Sequence, residues 1–176
     1  MYIYIFIFVI FSIIIITLVE KHKQVTIDNL IIKIDEATKE IDILLQKKIE
    51  LLTKLSKSIN KTTDKKILTD NSKIKNKKLN IFELEEQLYT IKKEFDNYVE
   101  ENNSTLKDDN QTLITKLERN DLELKALKLY YNKESYTYNT YIKKLTYLLA
   151  KIIKKYKKKN LFDIKKEVEF EILKKW

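Results

Sequence analysis

The chain has 176 residues, a formal charge of +9, 34 lysines against a single arginine (Arg119), one histidine (His22), and no glycine, proline or cysteine. Without glycine there is no phosphate-cradling P-loop, dinucleotide fingerprint, nucleophile elbow or ordinary EF-hand loop. Without cysteine and with one histidine there is no structural zinc site, thiol–histidine pair or disulfide framework. The composition points away from enzymatic chemistry and from any bound metal or cofactor. Nucleic acid is a poor partner as well. Base and phosphate readout favour arginine, and lysines interleaved with 26 acidic residues read as solvated helix faces.

Residues 1–19, MYIYIFIFVIFSIIIITLV, carry no charge, and Glu20, Lys21 and Lys23 follow at once. As a helix they rise about 28 Å at ~1.5 Å per residue, close to the ~30 Å hydrocarbon core of a bilayer. Ser12 and Thr17 can return their hydroxyls to the helix's own carbonyls, and Tyr2 and Tyr4 suit the membrane–water boundary. A cleaved signal peptide needs a basic start and a small-residue cleavage site, and this segment offers neither. The alternation Tyr-Ile-Tyr-Ile-Phe-Ile-Phe is strand-like, but a lone strand could not satisfy its edges in lipid. The segment therefore reads as an uncleaved anchor over 1–19 with lipid as its partner, and 20–27 as a juxtamembrane stretch. Lysines follow the anchor and none precedes it, which places residues 20–176 in the cytoplasm.

Residues 28–59 carry a helical stripe of Leu30, Ile34, Ala37, Ile41, Leu44, Leu51 and Leu55, widened by Ile31, Leu45, Leu52 and Ile59 and interrupted by Lys48. Such width implies several packing neighbours and not a narrow dimer seam. Asn60 to Lys78 is rich in turn formers and reads as a loop, with room for one short helix. Asn80 followed by Glu83 forms a capping-box pattern opening a second helix, with the stripe Leu84, Leu88, Ile91, Phe95, Tyr98 and Val99. A third pattern from Leu113 through Leu117, Leu124, Leu127, Tyr131, Tyr138, Leu145 and Ile152 predicts one helix of roughly 45 residues. Asn120 and Glu134 fall on that stripe and need partners if buried. The tail, residues 160–176, fits a strand (Val168, Phe170, Ile172) as well as a helix (Leu161, Ile164, Val168, Ile172). The expected architecture is all-α: an N-terminal transmembrane helix followed by an antiparallel long-helix bundle over 28–159.

No Glu-x-x-His pair exists, so Glu83, Glu85 and Glu86 read as solvated first-turn acids of the second helix. The segment 141–159, YIKKLTYLLAKIIKKYKKK, has eight lysines and no acid. It reads as the bundle's last core helix with a basic outer face, or as a helix that adsorbs to anionic lipid. The most specific signal is Tyr131-Asn132 followed by Tyr138-Asn139. Seven-residue spacing puts both asparagines on one helix face, where they can bond to the first helix near Asp42. The tyrosines read as core residues with a polar handle.

At this repeat the chain resembles the LemA family of bacterial membrane proteins. That family has an N-terminal membrane helix, then a pattern matched here by Ala37, Ile41-Asp42, Leu45, Lys47-Lys48 and Leu51-Leu52, and a Tyr-Asn repeat in its long last helix. Order and spacing match over roughly residues 1–160. Thr38, Lys47-Lys48, Thr53 and Thr146 stand where the family usually has Trp, Arg, Pro and Pro, and its Gly-Phe tail is missing. The resemblance implies a single-pass protein of the bacterial cytoplasmic membrane with no enzymatic activity and no cofactor. It also implies an adaptor or modulator of membrane-protein partners such as HtpX-like metalloproteases. The family-motif positions are Ala37, Ile41, Asp42, Leu45, Leu52, Tyr131, Asn132, Tyr138 and Asn139. Two rival readings are an anionic-lipid-binding protein that remodels the membrane surface and a membrane-tethered structural coiled-coil oligomer, so self-association stays open.

Overall fold

The computed structural model describes residues 2–62, 79–102, 108–143 and 156–163, which hold three α-helices and no strand. They are α1 (Tyr2–Thr62), α2 (Ile81–Asn102) and α3 (Asp108–Lys143); residues 156–163 are described and non-helical. The chain is all-α, as the periodicity predicts. The predicted loop begins later than Asn60, because α1 continues as helix through Thr62 with no proline or glycine to stop it; residues 63–78 of that loop, residues 144–155 of the third pattern and the strand-or-helix alternative for 164–176 lie outside the described residues.

α1 is one unbroken helix because nothing in it interrupts helical hydrogen bonding. It has neither proline nor glycine, and its two threonine-and-serine positions near the start bond back to the preceding turn. The start of α2 is fixed by its cap. Asn80 Oδ1 accepts hydrogen bonds from the backbone N–H of Phe82 and Glu83, each at 3.0 Å, and Glu83 Oε2 accepts one from the Asn80 N–H at 3.1 Å. The Leu84 N–H then donates to the Asn80 carbonyl at 2.9 Å, the first bond of the helix. Both halves of the capping box are thus made.

Two compact units divide the chain: residues 1–36 with 131–161, and residues 37–130 with 162–176. In the first, Ile27, Leu30 and Ile34 of α1 and Tyr131, Tyr138 and Ile142 of α3 are buried. In the second, α1 buries Ala37, Ile41, Leu45, Ile49, Leu52, Leu55 and Ile59, α2 buries Leu84, Leu88 and Phe95, and α3 buries Ile114, Leu117 and Leu124. Phe162 is buried there too, with its ring centroid 4.4 Å from that of Phe82. The buried α1 positions recur every three or four residues, as a helix packed on one broad side requires. Full burial of each Leu or Ile contributes about 1.5–3 kcal/mol.

Helix directions follow from the ion pairs. Glu85 meets Lys128 and Lys92 meets Asp121, so α2 and α3 are antiparallel. In the first unit Lys33 meets Glu134, and Asp28 is joined through Tyr156 to Tyr138, so α1 and α3 are antiparallel as well.

Replacing Asn80 by Ala removes both cap bonds while leaving the buried face of α2 intact. The expected loss is about 1 kcal/mol of unfolding free energy, read as a lower denaturant midpoint at constant slope; an unchanged midpoint would show the cap to be idle.

Candidate functional site

The first eighteen residues of α1 present an apolar surface on all sides. Tyr2 to Val19 is long and apolar enough to cross a membrane, and no residue of that window is buried within the fold. The hydroxyls of Ser12 and Thr17 are satisfied internally. Ser12 Oγ donates to the Phe8 carbonyl at 2.8 Å, and the Thr17 hydroxyl lies 3.0 and 2.8 Å from the carbonyls of Ile13 and Ile14. Such a surface suits hydrocarbon, since each unsatisfied polar group there costs several kcal/mol.

The family-motif positions are mainly core. Ala37, Ile41, Leu45 and Leu52 are buried in the second unit; Tyr131, Tyr138 and Asn139 are buried in the first. Asn132 is half-buried and engaged, and Asp42 is exposed. The expectation that Asn139 bonds to α1 beside Asp42 is therefore corrected. Asn139 instead pairs with the backbone of Lys159, donating from Nδ2 to its carbonyl at 2.8 Å and accepting its N–H at Oδ1 at 2.9 Å. An asparagine amide carries a donor and an acceptor side by side, so it can pair with both the N–H and the C=O of one residue.

That pairing belongs to a strap formed by residues 156–161 in the first unit. The Tyr138 hydroxyl donates to the Lys157 carbonyl at 3.1 Å, and its ring meets that of Tyr156 edge-on at 6.4 Å. Tyr156 donates to Asp28 at 3.3 Å, and Lys159 Nζ lies 3.3 Å from Asp35. The predicted basic helix over 141–159 is thus not helical at 156–159. There α3 supplies side-chain partners to the non-helical backbone and α1 supplies carboxylates to the side chains of Tyr156 and Lys159, so no i+4 neighbour is needed.

The second unit holds a polar seam that the stripe analysis misplaces. Leu127 is half-buried, and Lys128 beside it is 2% exposed, with its ammonium 2.7 Å from Glu85. Glu85 is therefore an internal counter-ion and not a solvated first-turn acid. Lys48, the residue that interrupts the α1 stripe, lies 2.8 Å from Asp121, and Lys92 reaches the same carboxylate at 3.9 Å and Asp96 at 2.7 Å. Asn120, fully buried, donates to the Leu44 carbonyl at 3.2 Å. Its Oδ1 is buried without a hydrogen-bond partner, so Asn120 is satisfied on its donor side alone, whereas Glu134 lies 3.7 Å from Lys33 in the first unit. The signal available in the sequence was spacing alone, since Lys128 lies four residues after Leu124 and three before Tyr131.

Burial pushes the Tyr138 phenol above its ordinary range, and the nearby Tyr156 adds to the shift. Burial also raises Tyr131; a hydrogen bond with Ser135 pulls it back and the Asp35 charge raises it further. Both are therefore neutral hydrogen-bonding groups at physiological pH. Among the described residues no three His, Cys, Asp or Glu side chains come together. Comparison with protein-family models, with curated proteins and with solved structures returns no match to this chain.

Two outcomes follow from these contacts. Lys128→Met leaves Glu85 without its counter-ion and should cost about 3–5 kcal/mol, whereas Lys128→Met with Glu85→Leu should recover most of the loss; equal midpoints for single and double variants would contradict a buried pair. The second concerns alkali. A phenol whose folded pKa exceeds its unfolded value contributes stability that is complete below about pH 10 and is lost as pH rises through the folded value. Tyr138→Phe should lower stability at neutral pH, because the bond to Lys157 goes, and flatten the decline above about pH 10. Parallel alkaline limbs in the two proteins would exclude this role for Tyr138.

Proposed function

We propose that the chain is a non-enzymatic, membrane-anchored helical adaptor of LemA type. It crosses the bacterial cytoplasmic membrane once, through residues 1–19, and presents residues 20–176 to the cytoplasm. There it scaffolds or modulates membrane-protein partners such as HtpX-like proteases. The observation that carries the reading is the continuity of α1, whose exposed apolar start runs without a break into the buried positions Ile27, Leu30 and Ile34. A helix of that kind fixes a folded domain beside a bilayer and leaves its outer faces available for contact. The LemA resemblance adds the single-pass plan. The burial of seven of the nine motif positions fits motifs that maintain a scaffold and not a reaction.

Orientation is the part of this reading that one experiment decides, and the absence of cysteine makes the labelling clean. Glu118, exposed on α3, is replaced by Cys and intact cells are treated with a membrane-impermeant thiol reagent. Labelling only after lysis is the expected result; equal labelling of intact cells would place the folded part outside and remove every cytoplasmic partner from consideration. In-membrane crosslinking with mass spectrometry then identifies what the exposed faces touch.

A further inference from the structure

Taking the membrane-spanning reading of α1 as its basis, we propose that Lys21, Lys143, Lys157 and Lys158 form a collar that binds the headgroups of anionic lipids around the anchor. All four belong to the same compact unit as the apolar start of α1. Their heights above the membrane follow from contacts within that unit. Lys21 lies two residues beyond Val19. Glu134 faces Lys33, so nine residues farther along the antiparallel α3, Lys143 lies level with Gln24, about 7 Å past Val19. Tyr156 bonds to Asp28, about 14 Å past Val19, and Lys159 meets Asp35, about 24 Å past it. The strap's backbone is held by Tyr138 and Asn139, which the same count places level with Asn29 and Asp28, so Lys157 and Lys158 lie about 14–15 Å past Val19. A lysine stem together with a Debye length of ~8 Å covers the heights of Lys143, Lys157 and Lys158.

The charges of this unit make the collar positive in effect. Its described residues carry eight lysines and five carboxylates. Four of those carboxylates are engaged inside the unit: Glu20 by Lys23, Asp28 by Tyr156, Asp35 by Lys159 and Glu134 by Lys33. Lys21, Lys143, Lys157 and Lys158 are exposed and make no ion pair among the described residues. Anionic phospholipid is the occupant of choice because the same helix already places these ammonium groups at a lipid surface. A free phosphate or an acidic protein would have no such tether.

The test uses the full chain in vesicles. Flotation with pure phosphatidylcholine vesicles reports insertion of α1 without any help from charge, so failure there counts against the anchor and is separate from failure of the collar. Spin-labelled phosphatidylglycerol and phosphatidylcholine then report which lipid is held at the protein's boundary. The native chain is expected to prefer phosphatidylglycerol about five-fold, equivalent to about 1 kcal/mol. Lys143→Gln/Lys157→Gln/Lys158→Gln should bring the preference close to unity, and the corresponding triple Arg variant should keep it. Lys47→Gln/Lys93→Gln/Lys116→Gln removes the same charge from exposed positions of the other unit and should leave it unchanged. Retention of the full preference by the first variant, or equal loss in the last, overturns the proposal.

Discussion

A lysine ammonium withdrawn from water must have a carboxylate within reach, and the inner side of α3 imposes that condition on everything packed against it. Lys128, Asn120, Glu134, Ser135 and Asn139 are all buried on this helix, alternating with Leu117, Leu124, Tyr131 and Tyr138. An apolar seam can slide by one turn at modest cost, because one leucine replaces another. This seam cannot. A shift of α2 by one turn would take Glu85 from Lys128 and Lys92 from Asp121 together. Buried pairs add little net stability over apolar packing, so register is the property they confer.

The same condition explains why the Tyr-Asn repeat lies where it does. Backbone that leaves the helical path loses its internal hydrogen bonds and needs others when it is covered. Residues 156–161 follow such a path, and the repeat meets them with a phenol donating to one carbonyl and an amide pairing with both backbone groups of Lys159. Tyr138 and Asn139 thus act as a substitute strand edge on a helix surface. Burial raises the pKa of this phenol, so it remains a donor further into alkali than an exposed tyrosine does.

Local chemistry was legible in the sequence, and distant chemistry was not. The capping box at Asn80 and Glu83 needs only three residues of spacing, and the cap is formed as that spacing predicts. The apolar run and the α1 stripe are equally local, so the all-α class and most α1 core positions are readable. Lys128 is different. Periodicity assigns a charged side chain to the solvent side, and the carboxylate that reverses this stands 43 residues earlier in the chain. The repeat marks Asn139 as an interior hydrogen-bonding group, but its partner lies on non-helical backbone within a segment whose lysines and leucines repeat with helical spacing. A pattern can show that a polar group needs a partner without showing which one it takes.

The unbroken course of α1 has a consequence of phase. A helix without a hinge transmits rotation as a shaft does, and each residue turns it by about 100°. Between Val19 and Ile27 there is no proline, no glycine and no described break, so the direction in which each exposed apolar residue of the start of α1 points is set by the side that carries Ile27, Leu30 and Ile34. Adding or removing one residue there would leave composition and hydropathy almost unchanged. It would nonetheless turn Tyr4, Phe8 and Phe11 by more than a quarter revolution against the folded unit. The exposed apolar residues at the start of α1 therefore have an azimuth as well as a position along the helix, although nothing in their own uniform apolar character specifies one.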